Sequence, residues 1–231
     1  MDKITVIIPC LNEAPALPVL IEAIQKHQAG YIGEIIIADG GSTDNTRGIA
    51  ESMGAKIVPC GRAGRAPQMN SGAQAAKNGI LYFLHADTIP PVNFDKSIIT
   101  SLKNGAVAGC FTLRFDWQHP ALRLYSWFTK RNASIFRFGD QSLFIKAEIF
   151  SEAGGFDETL IVMEDQEIIR RIKERGRFDL VQDPVITSAR KYRLNGPVKL
   201  QLIFTLIWLG YYLGVPQEKL KSIYKRTIRT G

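Results

Sequence analysis

Four short runs of β-branched and aliphatic residues recur through the N-terminal half of the chain, at 4–9 (ITVIIP), 34–39 (EIIIAD), 55–60 (AKIVPC) and 80–87 (ILYFLHAD). Helical stretches separate them at 14–28, 44–53 and 66–78, each following a Pro, Asp, Asn or Ser able to start a helix. This alternation predicts βαβ units and an α/β fold with a mixed, mainly parallel sheet and flanking helices. On such sheets ligands bind at the carboxyl ends of the strands, and the polar residues collect there. Asn12 and Glu13 follow the first run, Asp39 ends the second, and His85 and Asp87 end the fourth.

The second half is less regular. Strands are expected at 107–115 and 142–146, an aromatic helix at 120–130, a Gly-Gly-Phe turn at 154–156, and a helix that opens at Glu164-Asp165 and runs to about Arg175. A length of 231 residues suits one α/β domain with an appendage. Gly196-Pro197 is read as the boundary between a domain of residues 1–196 and a helical tail of residues 197–231.

A net charge of +7 favours an anionic partner, whether a phosphorylated substrate, an acidic membrane or nucleic acid, and charge alone does not choose among them. Neither basic cluster, Gly61–Arg65 or Ser188–Arg193, has the aromatic interleaving of a single-strand nucleic-acid surface, so no nucleic-acid partner is expected. Three dispersed cysteines, Cys10, Cys60 and Cys110, and a start without signal-peptide pattern place the chain in the cytoplasm. The most apolar stretch, residues 200–215, is shorter than the roughly 20 residues that span a bilayer. Cations follow it at Lys219, Lys221, Lys225, Arg226 and Arg229. It either lies peripherally on the inner face of the cell membrane or completes the core or a homodimer interface.

Several residue groups could carry chemistry. Asp39-Gly40-Gly41-Ser42-Thr43-Asp44 forms a tight turn after a strand, read either as a pocket edge or as a helix cap. The turn lacks the glycine spacing of the dinucleotide and P-loop fingerprints. On an extended chain His85 and Asp87 would point to one side, where the carboxylate suits Mg²⁺ or Mn²⁺ and the imidazole suits Mn²⁺ better. Ordinary hydrogen bonding is the competing reading. Glu164 and Asp165 at a helix start are either capping groups or a general base with its support, and the helix dipole should keep Asp165 ionised. Arg62 and Arg65, followed by Gln68 and Asn70, either meet phosphates or form a solvated loop.

Taken in order, VIIPCLNEA (6–14), EIIIADGGSTDNT (34–46), Asn70-Ser71-Gly72, LYFLHADTIPP (81–91), FGDQSLFIKAEIFSEAGGFDE (138–158) and MEDQEIIRRI (163–172) resemble the family 2 glycosyltransferases. That resemblance implies the GT-A fold. It implies a nucleotide-diphospho-sugar donor, a divalent metal, and inverting transfer to an acceptor hydroxyl.

Pro9, Asn12, Glu13 and Asp39 would line the nucleoside pocket, with Gly40 and Gly41 beside them. Asp87 matches the last position of the family's D-x-D element, which meets the metal, and Gly139, Asp140 and Gln141 match an acceptor-side segment. Asp165 matches the general base of the family's E-D pair, with Glu164 in support. The sequence departs from the family by placing His85 where the first D-x-D carboxylate stands. It also lacks the Q-x-x-R-W element of processive members, which points to addition of a single sugar; the sequence does not identify the acceptor, which is expected to be lipid-linked if the tail meets a membrane. Two other readings stay open: a nucleotidyltransferase acting on a sugar phosphate, and an inactive, membrane-associated nucleotide-sugar-binding module.

Overall fold

Strand β1 (Ile4–Cys10) sends Ile4, Val6 and Ile8 into one apolar layer and Ile7 into the opposite one. A strand that is apolar on both faces needs cover on both faces. The computed structural model, which describes residues 2–131 and 139–229, places β1 inside an eight-stranded sheet between two helical layers. Phe138, which opens one of the segments noted above, and the end of the tail at 230–231 lie outside the described residues.

The sheet order is β3 (Lys56–Pro59), β2 (Ile32–Asp39), β1, β4 (Ile80–Phe83), β7 (Leu143–Lys146), β6 (Ala106–Phe115), β8 (Arg177–Thr187) and β5 (Thr88–Ile89). The first four strands of this order run parallel, β7 is antiparallel to both β4 and β6, and β8 is parallel to β6. The carboxyl ends of β1, β2 and β4 therefore share an edge with the amino end of β7.

Helices α1 (Leu17–His27), α2 (Thr46–Ser52) and α4 (Phe94–Lys103) cover one face. The other is covered by α3 (Arg65–Ala75), α6 (Ala147–Glu152) and α7 (Glu164–Lys173). Gly72 lets α3 approach β1 closely, because a Cβ there would strike the Ile7 side chain.

Two expectations change. The strand expected over 80–87 stops at Phe83, and His85 to Asp87 form a turn in which Thr88 N donates to His85 O at 3.1 Å. The extended-chain argument for His85 and Asp87 sharing one side therefore does not apply. β8 was not anticipated, because its Pro184 lacks the N–H that a regular ladder uses. The sheet absorbs this proline in a bulge, where the partner of Phe111 is Val181 and that of Thr112 is Pro184. The Thr112 hydroxyl donates to Gln182 O inside the bulge at 2.8 Å.

After Gly196 (φ 80°), Pro197 starts α9 (Pro197–Tyr212), and α10 (Gln217–Thr227) follows. Leu200, Ile203 and Ile207 pack on Leu122 of α5 (Pro120–Thr129) and on Ala189 and Tyr192 around α8 (Arg190–Asn195). One face of α9 is thus buried in a third apolar cluster. Among the described residues no helix is long and apolar enough to cross a membrane.

Candidate active site

At the end of β2, Asp39 is fully buried and its carboxylate accepts from Gly41 N, Ser42 N and Arg47 Nε at 3.2, 3.1 and 2.6 Å. Burial pushes its pKa up, but the Ser42 and Arg47 side chains and the turn's N–H groups outweigh burial and hold it below the usual carboxylate range. Gly41 (φ 97°) supplies the left-handed conformation that aims this turn back at the carboxylate.

Asn12, itself left-handed (φ 57°), accepts from Thr43 N at 2.8 Å and donates its own N–H to Ser42 Oγ at 2.9 Å. The loops after β1 and β2 are thereby tied together. Gln68 of α3 locks the same corner from below, donating to Cys10 O and Ala38 O at 2.7 and 2.8 Å. Pro9 lies half-buried in β1, and Gly40 packs against the Gln68 amide, which a larger residue would displace.

A second group gathers beyond the end of β4. Asp140 stands in a short 3-10 turn before β7, and its charge acts on His85, Asp87, Arg65, Glu164 and Asp165. Burial raises the pKa of Asp87, and Asp140 raises it further, against the opposing pull of Lys191 and Arg65. Burial and then Asp87 also raise Glu13, whose carboxyl is drawn back by Arg190 and Lys191. His85 is buried and its pKa is pushed down to about 3 by burial and then by Arg65, so its imidazole is neutral at pH 7.

Glu164 is buried at the start of α7, 3.9 Å from Arg65. Asp165 follows it, with its pKa raised well above the ordinary range by burial and then by Glu164, despite Arg65. The helix dipole was expected to keep Asp165 ionised. A dipole contributes about 0.3–1 kcal/mol near a helix start, and here burial plus a neighbouring carboxylate outweighs it. The N-cap is Met163, left-handed at φ 72°, without a side-chain capping bond, and the Glu164 carboxyl accepts from its own backbone N–H.

The loop before this pair is held by the chain's last helices. Gln217 Oε1 accepts from Ile161 N and Val162 N at 3.0 and 3.2 Å, and Gln166 Oε1 accepts from Trp208 Nε1 and Tyr212 OH, both at 3.2 Å.

Other residues singled out in the sequence are bonded elsewhere. Asn70 accepts from Phe156 N and donates to Phe156 O and Glu158 Oε1, each at 2.9 Å, while an Arg62 guanidinium N–H donates to Glu158 O. Gln141 is buried and donates to Phe111 O at 3.1 Å, leaving Asp140 as the charged member of the Gly139–Gln141 turn. Arg47 and Lys191 are the main additions. Arg47 carries no sequence signal beyond its place in a helix after the Asp39 turn, and Lys191 belongs to a basic cluster whose role the sequence left open.

Among the described residues no three His, Cys, Asp or Glu side chains converge to hold an ion alone. The donor set nonetheless fits a divalent cation that arrives with a diphosphate. Asp87 is a half-buried carboxylate crowded by Asp140, and such cations need only one or two protein carboxylates when phosphate oxygens complete the shell. Neutral His85 is chemically able to add a nitrogen ligand.

Residues 5–154 match the sequence profile of glycosyl transferase family 2. An uncharacterized glycosyltransferase of Mycobacterium tuberculosis is 33% identical over 105 residues, which are 46% of this chain and 46% of that relative. The chain thus spans about half the length of the curated relatives first matched.

S. aureus TarS (residues 1–349) in complex with UDP superposes with a TM-score of 0.67 at 16% identity, covering 80% of this chain and 60% of that one. Glucosyl-3-phosphoglycerate synthase from Mycobacterium tuberculosis, in complex with Mn²⁺, UDP and glucosyl-3-phosphoglycerate, superposes with a TM-score of 0.63 at 19% identity, covering 89% and 79%. The fold is GT-A, as the resemblance to family 2 implies.

Proposed function

The chain belongs to glycosyl transferase family 2, and on that premise we propose that it moves one sugar from a nucleotide-diphospho-sugar to an acceptor hydroxyl with inversion at the anomeric carbon. The observation that carries this reading is Asp165, a carboxyl of raised pKa next to Glu164, under the charges of Arg65 and Asp140. Efficient general bases have a pKa close to the working pH, and this environment moves an aspartate in that direction.

The Asn12–Asp39–Ser42 corner holds the nucleoside, with Pro9, Glu13, Gly40 and Gly41 around it. The acceptor oxygen attacks the anomeric carbon and the bond to the diphosphate oxygen breaks. The hydroxyl proton passes to Asp165, and the nucleoside diphosphate leaves. Asp140 and Gly139 lie on the acceptor side. Lys191 and Arg190 supply positive charge opposite Asp87 and Glu13, where a diphosphate gains it. Asp87, with His85, would hold the Mn²⁺ or Mg²⁺, whose chemistry is to neutralise the departing diphosphate. Residues 1–196 form the catalytic domain in this reading, and residues 197–231 its tail.

A thermal-shift screen of UDP-, GDP-, TDP- and CMP-sugars with Mn²⁺ or Mg²⁺ tests the proposal, because specific binding stabilises the native state by mass action. One donor should raise Tm in a metal-dependent way, and Asp87→Ala should abolish that rise while the protein stays folded. A stabilising nucleoside triphosphate and pyrophosphate release with a sugar phosphate would instead establish a nucleotidyltransferase. Donor stabilisation indifferent to EDTA and to Asp87→Ala would remove the metal.

A further inference from the structure

The face of α9 opposite the third apolar cluster is uncovered. Val198, Leu202, Leu206, Leu209 and Leu213 follow one another at three- and four-residue steps and are 61%, 61%, 63%, 43% and 81% exposed. At 100° per residue these five positions fall on one narrow stripe. Soluble surfaces rarely leave a contiguous apolar stripe of this kind without a partner.

Beside the stripe runs a groove of roughly 880 Å³, lined by Val198, Leu202 and Leu206 on one wall and by Lys225, Arg226 and Arg229 on the other, with Lys199 at its side. These four cations are exposed, and among the described residues none has an ion-pair partner. An apolar stripe next to uncompensated cations matches the layering of an anionic bilayer surface, with acyl chains below and phosphates at the rim. A second copy of the chain fits less well, because a two-fold contact through this stripe would bring the two sets of cations together.

We propose that the α9 stripe and the Lys199–Lys225–Arg226–Arg229 rim seat the protein on an anionic lipid bilayer. α9 lies in the interface, its buried face holding the protein body and its exposed leucines entering the acyl boundary. The seat is independent of the proposed transfer chemistry, so either can fail alone. It also adjoins the Asp165 helix, since Tyr212 of α9 bonds to Gln166.

Co-sedimentation of the full chain with phosphatidylcholine vesicles and with mixed phosphatidylcholine–phosphatidylglycerol vesicles tests this. A cation at an anionic surface contributes about fivefold to partitioning, from ~1 kcal/mol each, so the mixed vesicles should bind the protein far better than the neutral ones. Lys225→Glu with Arg226→Glu should lower binding to mixed vesicles about 25-fold or more. Leu202→Glu with Leu206→Glu should abolish binding, and the milder Leu206→Ser should weaken it. All these positions are exposed, so melting curves should match the wild type. Equal binding to both vesicle types, full binding by the Leu202→Glu/Leu206→Glu chain, or a lipid-free dimer that this double variant splits would overturn the proposal.

Discussion

Asp39 and Asp165 stand at the same end of the sheet, yet their surroundings treat a negative charge in opposite ways. Asp39 is fully buried, but the Gly41–Ser42 turn and Arg47 surround it with donors, and its pKa falls. At Asp165 burial, then Glu164 and Asp140, push the pKa up, and among the described residues Arg65 is the cation that opposes them. Burial raises both carboxyls, and whether donors surround the group decides whether that rise is overcome, as at Asp39, or stands and is reinforced by like charges, as at Asp165. A satisfied carboxylate holds a loop in place. A frustrated one is poised to take a proton, at some expense in stability.

The contrast breaks most visibly at Asp165. Asp165→Asn keeps the shape and removes the base, so transfer should fall about 10²–10⁴-fold while donor binding survives. Near-normal transfer would hand the role to Glu164 or Asp140. The same variant should alter stability with the opposite sign. A native carboxyl whose pKa is raised binds more protons than the unfolded chain once pH passes the unfolded value, so wild-type stability falls as pH rises through the native pKa. Denaturant melts at several pH values should show Asp165→Asn losing part of that decline.

Asp39→Asn should act on the fold rather than the chemistry. It weakens charge-assisted bonds to Arg47 and to two backbone N–H groups, and such bonds contribute about 1.5–3 kcal/mol each when buried, less here because Arg47 is half-exposed. A Tm lower by several degrees is expected, with weaker donor binding and a smaller change in kcat than at Asp165.

Arg65→Met sharpens the comparison by withdrawing the one cation that relieves Glu164 and Asp165 most directly. Their pKa values should rise further, so the acid limb of the kcat/KM profile should move to higher pH, with a several-fold loss at neutral pH. A profile that stays in place would mean that Arg65 does not face the base. The smallest effect should come from Gln217→Ala, which leaves Ile161 N and Val162 N without their side-chain acceptor at a cost of about 1 kcal/mol.

Much of this was legible in the sequence, for identifiable reasons. The apolar runs at β1, β2 and β4 and the Asp39 turn announce themselves because local pattern and tertiary role agree. β8 hid because its Pro184 speaks against a strand, and only the bulge opposite Phe111 and Thr112 makes it tolerable. The apolar run predicts an extended chain through His85 and Asp87, whereas the backbone turns after Phe83.

Among the site residues, the charges of Asp87, Asp140, Glu164, Asp165 and Arg65 do act on one another. Arg62 and Asn70 look alike in sequence as phosphate contacts but bond to the Phe156–Glu158 loop, a long-range partner that no local spacing reveals. The rise in the pKa of Asp165 was equally hidden. A helix start read in isolation predicts the opposite sign, and what reverses it is burial first, then Glu164 beside it and Asp140 from a separate segment.

The difference between the two aspartates can be measured without knowing any substrate. Carboxyl ¹³C NMR titration of the full chain, with Asp39→Asn and Asp165→Asn used to assign the signals, reads both groups in one experiment. Asp165 should titrate well above the ordinary aspartate range and Asp39 below it. Asp165 titrating at or below the position of Asp39 would contradict this contrast.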